Sequence, residues 1–376
     1  MRPRVLGRYL RRHAALRLLL VALVLLGLGL MFDLLDASED ILRRSDRVVA
    51  DLFLYVALRL PSLVSELFGF LVLLGGLFTV IDLFRHRELV VMWAAGLSPA
   101  DLARHLLPFA ALLAVSKFLL DDRLVPPTAA VLREWDVGRF STDFGVGPGR
   151  WVWVEIDGAA LKADAAAARE RRLERVELFL RDEAGRLRAR LVASRAEPVD
   201  GRLRFFDATL YPAGPGRPER FPVYDHPGRV DLAAVQLMAR PAQELALPDL
   251  VRVIRARGYG MRPVHPHRVW AQARFSDPLG AGALLLLPLA LLRSFSRRGI
   301  TSRLFAEALA LGFLYELAHG FLLALGEGGF VPAPLAAWGL PLLLVAGLLL
   351  AFRRAHAGAG RLDPVPLRRC RPASPS

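Results

Sequence analysis

Few residues of this chain are spaced for chemistry. Among its 376 residues lysine occurs only at Lys117, in Ala114-Val115-Ser116-Lys117, and at Lys162, in Ala160-Leu161-Lys162. A P-loop needs its lysine directly after a glycine-rich turn, where it reaches the nucleotide phosphates, and neither lysine follows one. No Ser/His/Asp order or paired-carboxylate spacing stands out, so no catalytic residue is assigned and a transport subunit without its own nucleotide site is expected. His265-Pro266-His267 sets two imidazoles together, but zinc takes three or four ligands and none follows nearby. The pair reads as two solvated loop histidines, with no metal and no cofactor expected. Glu316 and His319 stand three residues apart in an apolar run and would share one helix face. Ionisable groups at such depth face a bundle interior or a watery cavity, which makes the two candidates for a cavity or gate. The plainer reading is an interhelical hydrogen-bonded pair, or a position nearer the interface. Glu66, Asp82 and Lys117 carry the same two readings, with Asp82 expected at the membrane boundary.

The segment richest in information is Arg87-Glu88-Leu89-Val90-Val91-Met92-Trp93-Ala94-Ala95-Gly96-Leu97-Ser98. It is too short and too charged at its start to cross a bilayer. An apolar surface including Val91, Trp93 and Leu97 fits it to lie on the membrane face or to dock in a partner's groove. Ala94, Ala95 and Gly96 permit close backbone approach, and Ser98 can cap the helix that follows. Composition does not separate a docking helix from an interfacial helix anchored by Trp93.

The elements that must position these residues are mostly membrane spans. The chain is 54% hydrophobic with a mean hydropathy of +0.36, and the apolar residues fall in blocks. Roughly 20 apolar residues cross a hydrocarbon core of about 30 Å, so six spans can be drawn, at 16–35, 53–84, 102–120, 270–292, 304–325 and 335–352. The first carries no small-residue cleavage site after it, and Phe32-Asp33-Leu34-Leu35-Asp36 follows instead, which reads as a retained helix rather than a signal peptide. Arginine clusters at 2–17, 85–87, 293–303 and 353–354 place both termini in the cytoplasm of a multi-pass inner-membrane protein. The formal net charge of +14 is thereby a matter of topology, with no basic stripe that would suggest nucleic acid. The single cysteine, Cys370, excludes an intrachain disulfide.

Between the third and fourth spans the period changes. Trp151-Val152-Trp153-Val154-Glu155-Ile156, residues 175–180, 187–192 and 203–206 alternate as strands, with Asp200-Gly201 as a hairpin signal. Residues 212–227, rich in proline and glycine, read as loop, and 247–258 as a helix leading back to the membrane. The expected division is 1–122 for three spans with a coupling helix near 86–98, 123–266 for a periplasmic β-domain, 267–354 for three more spans, and 355–376 for a cytoplasmic tail. Strand spacing alone does not separate a jelly roll from other sandwiches.

The run from Glu88 to Ser98, E-L-V-x-M-x-A-A-G-x-S, resembles the ATPase-coupling segment of the LptF/LptG (YjgP/YjgQ) permeases. The resemblance extends to Tyr9-Leu10, Leu60-Pro61, the Asp182 to Gly185 turn with Ala193 and Ala196, Arg274 with Pro278, and Pro334-Leu335-Ala336-Ala337-Trp338. It leans slightly to the LptG side. It implies six transmembrane helices with a periplasmic β-jelly-roll-like domain between helices 3 and 4, in the bacterial inner membrane. It implies a permease that extracts lipopolysaccharide and passes it to a periplasmic bridge of LptC- and LptA-like proteins. The partners implied are a sister LptF/LptG permease and a separate LptB-like cytoplasmic ATPase, acting through Arg87, Glu88, Val91, Trp93, Ala94, Ala95, Gly96, Leu97 and Ser98. Two departures stand out. Family members often carry a second proline in the second span, where this chain has Glu66-Leu67-Phe68-Gly69. Many carry a basic residue near the outer end of the first span, where this chain has Asp33 and Asp36, with Arg43, Arg44 and Arg47 following. Asp33, Asp36 and Arg43 therefore join Glu316 and His319 as candidates for a cavity or gate. The alternatives are another ABC-type permease or mechanotransmitting scaffold that moves no lipid, and a membrane enzyme built on Glu316 and His319.

Overall fold

The computed structural model describes residues 3–44, 47–135, 137, 140, 151–156, 159–164, 173–182, 184–199, 202–229, 237, 240–255, 264–292 and 300–359. Two long helices open the chain, α1 (Pro3–Arg44) and α2 (Val48–Arg85). At 1.5 Å per residue the first is about 63 Å long, twice the hydrocarbon thickness, so the helix continues well beyond its apolar stretch. A short helix, α3 (Glu88–Ala94), precedes α4 (Pro99–Leu119). After α4 the chain makes a π turn over Leu120–Leu124 and runs on as α5 (Val125–Trp135). The wide turn lies directly before Pro126 and Pro127, which have no N–H to give to the carbonyls of the preceding turn. Helix therefore continues into residues 123–135, which the sequence pattern had joined to the β-domain.

The remaining helices are α6 (Leu247–Arg255), α7 (His265–Leu291), α8 (Ile300–Glu327) and α9 (Ala333–Ala359). Six stretches among the described residues are long and apolar enough to cross a membrane: Val5–Leu42, Val48–Arg85, Pro99–Trp135, His265–Leu291, Arg303–Glu327 and Ala333–Arg354. These are the six expected spans, and the chain is a multi-pass helical membrane protein with a sheet domain. Helix α7 is the hub. Of its apolar stretch 72% is buried against the rest of the protein, whereas for α1 the share is 6%. Small residues let backbones meet around α7. A Cβ on Gly76 of α2 would lie 2.8 Å from the Leu285 carbonyl, and one on Gly282 would lie 3.1 Å from the Ala110 carbonyl of α4.

Six strands form one antiparallel sheet in consecutive order: β1 (Trp151–Ile156), β2 (Ala159–Asp164), β3 (Leu173–Arg181), β4 (Leu187–Val199), β5 (Arg202–Pro212) and β6 (Glu219–Arg229). The register lines Leu161, Leu178, Leu191 and Leu210 across four strands, and Ala196, Phe205 and Tyr224 across three. These rows and Val176 with Ala193 make a separate apolar core for the domain. Every described pairing joins sequence neighbours, so the sheet is a meander; the crossing connections of a jelly roll are not among the described residues. The stretch expected as loop, 212–227, is half strand: Glu219–Arg229 pairs with β5. Its prolines, Pro222 and Pro227, are tolerated because β6 is an edge strand, and Phe221 and Tyr224 pack onto the core. Across β5 and β6, the Arg204 hydrogen bonds hold the Asp225 carboxyl below the usual carboxylate range.

Candidate functional site

The short helix α3 is held in an elbow defined at both ends. Arg87 before it is left-handed, with φ 59°. After it, the Gly96 N–H donates to the Trp93 carbonyl and the Leu97 N–H to the Met92 carbonyl, the hydrogen-bond pair of a Schellman motif. Gly96 takes the left-handed position with φ 82°, and nothing lies within 4 Å of where its Cβ would be. Ser98 then caps α4, its hydroxyl accepting from the Asp101 N–H at 3.2 Å while the Asp101 carboxylate accepts from the Ser98 N–H at 3.0 Å. This reciprocal box starts a new helix at Pro99, directly after the turn that stopped the last one at Ala94.

The elbow has two faces. Leu89 and Met92 are buried in the main core of the bundle, with Trp93 and Leu97 packed partly against it. Val90, Val91, Ala94, Ala95 and Gly96 are exposed. The exposed apolar patch is thus Val90, Val91 and the small residues, while Trp93 and Leu97 serve to seat the elbow. The Tyr9 hydroxyl donates to both Glu88 carboxylate oxygens at 2.8 Å, tying α1 to the elbow. One helical turn deeper, Asp82 of α2 meets Arg17 at 2.6 Å and His13 at 2.8 Å, both from α1.

A second constellation lies toward the other end of the spans. A cavity of about 580 Å³, open on one side, is lined by α2, α4, α5, α7, α8 and the 242–244 turn. Lys117 donates to the Ser65 hydroxyl at 2.9 Å and to the Asp121 carboxylate at 3.0 Å, and Ser65 donates to the same carboxylate at 2.6 Å. Asp121 projects from the π turn, and Arg274 of α7 stands 3.9 Å from it while donating to the carbonyls of Gln243 and Leu245 at 2.6 and 2.8 Å. Arg133 of α5 grips Glu244 through two bonds of 2.6 Å. Asp122 accepts from the Leu247 N–H at 2.6 Å, at the start of α6. On α8 the His319 ring is 2.9 Å from Asp277 of α7 and stacks on Tyr315. Beside the cavity, Arg59 is fully buried and bonded to Asp33 of α1, to Ser62, and to both oxygens of Glu66.

Charges inside a membrane domain persist only when paired or wet. Among the described lining residues each of the cations, Lys117, Arg133 and Arg274, bonds at least one protein oxygen, the buried Arg274 Nε is left without a hydrogen-bond partner, and carboxylates outnumber cations. The arrangement binds α2, α4, α5, α7 and α8 and the 242–244 turn to one another.

Of the residues singled out from sequence, Glu316 and His319 both line this cavity. They do not pair with each other, since His319 turns to Asp277 on the neighbouring helix. Glu316 lies against Gly69, whose missing side chain gives its carboxylate room; a Cβ there would overlap it. Asp33 is engaged by Arg59, Asp36 is exposed, and the Arg43 side chain lies outside the described residues. His265 is exposed and His267 buried, and no three metal-ligating side chains converge among the described residues. Sequence reasoning missed Arg59, Asp121, Asp277 and the Arg133–Glu244 pair. Two of these had signals: Asp121 sits four residues after Lys117, and Arg59 breaks an apolar run.

A family model described as "Lipopolysaccharide export system permease LptF/LptG" matches residues 8–354, nearly the whole chain. That one model covers both LptF and LptG, so the match gives no preference for the G-like member. No curated protein matches the chain.

Proposed function

Because the chain belongs to the LptF/LptG family of lipopolysaccharide export permeases, we propose that it extracts lipopolysaccharide from the bacterial inner membrane under the drive of a separate LptB-like ATPase. The observation that carries the coupling is the elbow. Its outer face is small, apolar and exposed, as a surface for a soluble partner must be, while its inner face is locked into the bundle core. A push on Val90, Val91 and Ala94–Gly96 reaches α2 and the bundle core through Leu89 and Met92, reaches α4 along the chain through the Ser98 cap, and reaches α1 through the Glu88–Tyr9 bonds. The Schellman stop after α3 and the capping box that opens α4 keep the turn between them rigid enough to transmit force rather than unwind. On this reading the elbow end of the bundle and both termini are cytoplasmic, and the six-stranded sheet is periplasmic, in line with the arginine bias.

Helix α1 supports a partner in the membrane: little of its apolar stretch is covered by its own chain, so a sister permease can pack there. The sheet, with its apolar inner rows, would hand acyl chains to LptC- and LptA-like bridge proteins. Affinity purification of the tagged full chain from its native membranes, with mass spectrometry of proteins and lipids, tests this. Recovery of a soluble P-loop ATPase, a second six-span permease and lipopolysaccharide supports it. Recovery of an ATPase without lipopolysaccharide would favour a mechanotransmitting permease that moves no lipid, and recovery of the chain alone would refute the assembly.

A further inference from the structure

A second hollow, unrelated to the charged cavity, opens sideways between α4, α7 and α9. It holds about 460 Å³ and is lined almost entirely by apolar atoms. Its floor is Ala103, Ala110 and Ala283, each at most 6% exposed, where Gly282 brings the α4 and α7 backbones together. Its rims are Leu107 and Leu349, both more than half exposed. Among the described residues the only charged side chains on it are Arg104 and Arg353, and both stand at the same end, beside Ala100 and Phe352. Arg104 is 67% exposed and shares one bond of 3.1 Å with Asp101; no acid is paired with Arg353 among the described residues.

The dimensions choose the occupant. From Ala100 to Ala114 the trough follows about 21 Å of α4, which is one leaflet with its headgroup layer rather than the whole bilayer. A packed partner helix would need a matching groove through both leaflets. An acyl chain needs only one, and its phosphate would then lie level with the two guanidinium groups. Basic pockets between membrane helices on the cytoplasmic side are suited to anionic headgroups. We propose that this trough is a binding site for an anionic diacyl phospholipid of the cytoplasmic leaflet, with one acyl chain along the alanine floor and the phosphate between Arg104 and Arg353. The proposal rests on the orientation given above and is independent of what the protein exports. It implies that the bundle carries a resident lipid at the α4 wall, one helix away from the elbow.

The test uses the full chain, purified in detergent, stripped of lipid and titrated with palmitoyl-oleoyl phosphatidylglycerol or phosphatidylcholine under native mass spectrometry. One basic residue near an anionic surface is worth roughly fivefold in affinity. Phosphatidylglycerol should therefore bind about 25-fold more tightly than phosphatidylcholine, and the R104Q/R353Q double variant should lose that preference while still binding both lipids weakly. Both arginines are exposed, so this variant folds as the parent does. A103L/A110L, which fills the floor, should release both lipids with the arginines intact. Equal binding of the two lipids by the parent, a preference that survives R104Q/R353Q, or a cross-link from Leu107 to another polypeptide in place of lipid would overturn the proposal. None of these outcomes depends on lipopolysaccharide transport.

Discussion

Replacing Gly96 separates the two ways in which the elbow can fail. Its φ of 82° is one that an L-residue adopts at a cost of about 1–2 kcal/mol, and the space around its Cβ position is empty, so Gly96→Ala adds strain without adding bulk. That strain lowers the population of the Schellman elbow by about 5- to 30-fold relative to unwound forms. Asparagine tolerates the left-handed region better than alanine, so Gly96→Asn should recover much of the loss. Ala95→Trp does the opposite: Ala95 has φ −79°, an ordinary value, so this change adds bulk on the exposed face without strain. Binding of the ATPase to the purified permease, followed by surface-based titration, is the assay. The expected order is wild type, then Gly96→Asn, then Gly96→Ala weakened up to about 30-fold, with Ala95→Trp weak in binding but unchanged in thermal unfolding. Gly96→Trp combines both faults and should uncouple hydrolysis from transport altogether. Equal binding by Gly96→Ala and Gly96→Asn would refute the backbone argument. Undiminished binding by Ala95→Trp would refute the docking face.

Further perturbations address the charged layers. Arg59→Met leaves the Asp33 and Glu66 carboxylates without their shared guanidinium, and should lower stability by about 3–5 kcal/mol in thermal or denaturant unfolding; adding Asp33→Asn and Glu66→Gln should restore most of it. Gly69→Val should displace the Glu316 carboxylate, and in a double-mutant cycle with Glu316→Ala the two effects should be non-additive by roughly 0.5–3 kcal/mol. Tyr9→Phe removes both hydrogen bonds to Glu88 and should weaken ATPase binding less than Glu88→Ala, because the carboxylate survives; pull-down of the ATPase measures the ratio.

The spans and the elbow were legible because each follows from local pattern. Hydropathy over twenty residues makes a span whatever its neighbours, and Ser98 marks a helix start by itself, with Asp101 completing the box only in the structure. The charged cavity was not legible. Arg59 meets Asp33 across 26 residues, Arg133 meets Glu244 across 111, and His319 meets Asp277 across 42. Such partners are set by helix packing, and a single span shows only that it holds a costly charge. Glu316 illustrates the limit: its spacing to His319 put both on one face, yet its nearest constraint is the absent side chain of Gly69 on another helix. Strand β6 was hidden for a different reason, since its prolines mimic a loop and are admitted only by its place at the sheet edge.

The central claim is that the elbow carries the work of a separate ATPase into lipopolysaccharide extraction. Its most direct test is release of lipopolysaccharide from proteoliposomes that contain the permease pair, with acceptor protein outside and ATPase and ATP added or withheld. The account predicts release only when ATPase and ATP are both present, abolished by Ala95→Trp although the assembly remains folded. Release without the ATPase, or release unaltered by that substitution, would contradict it.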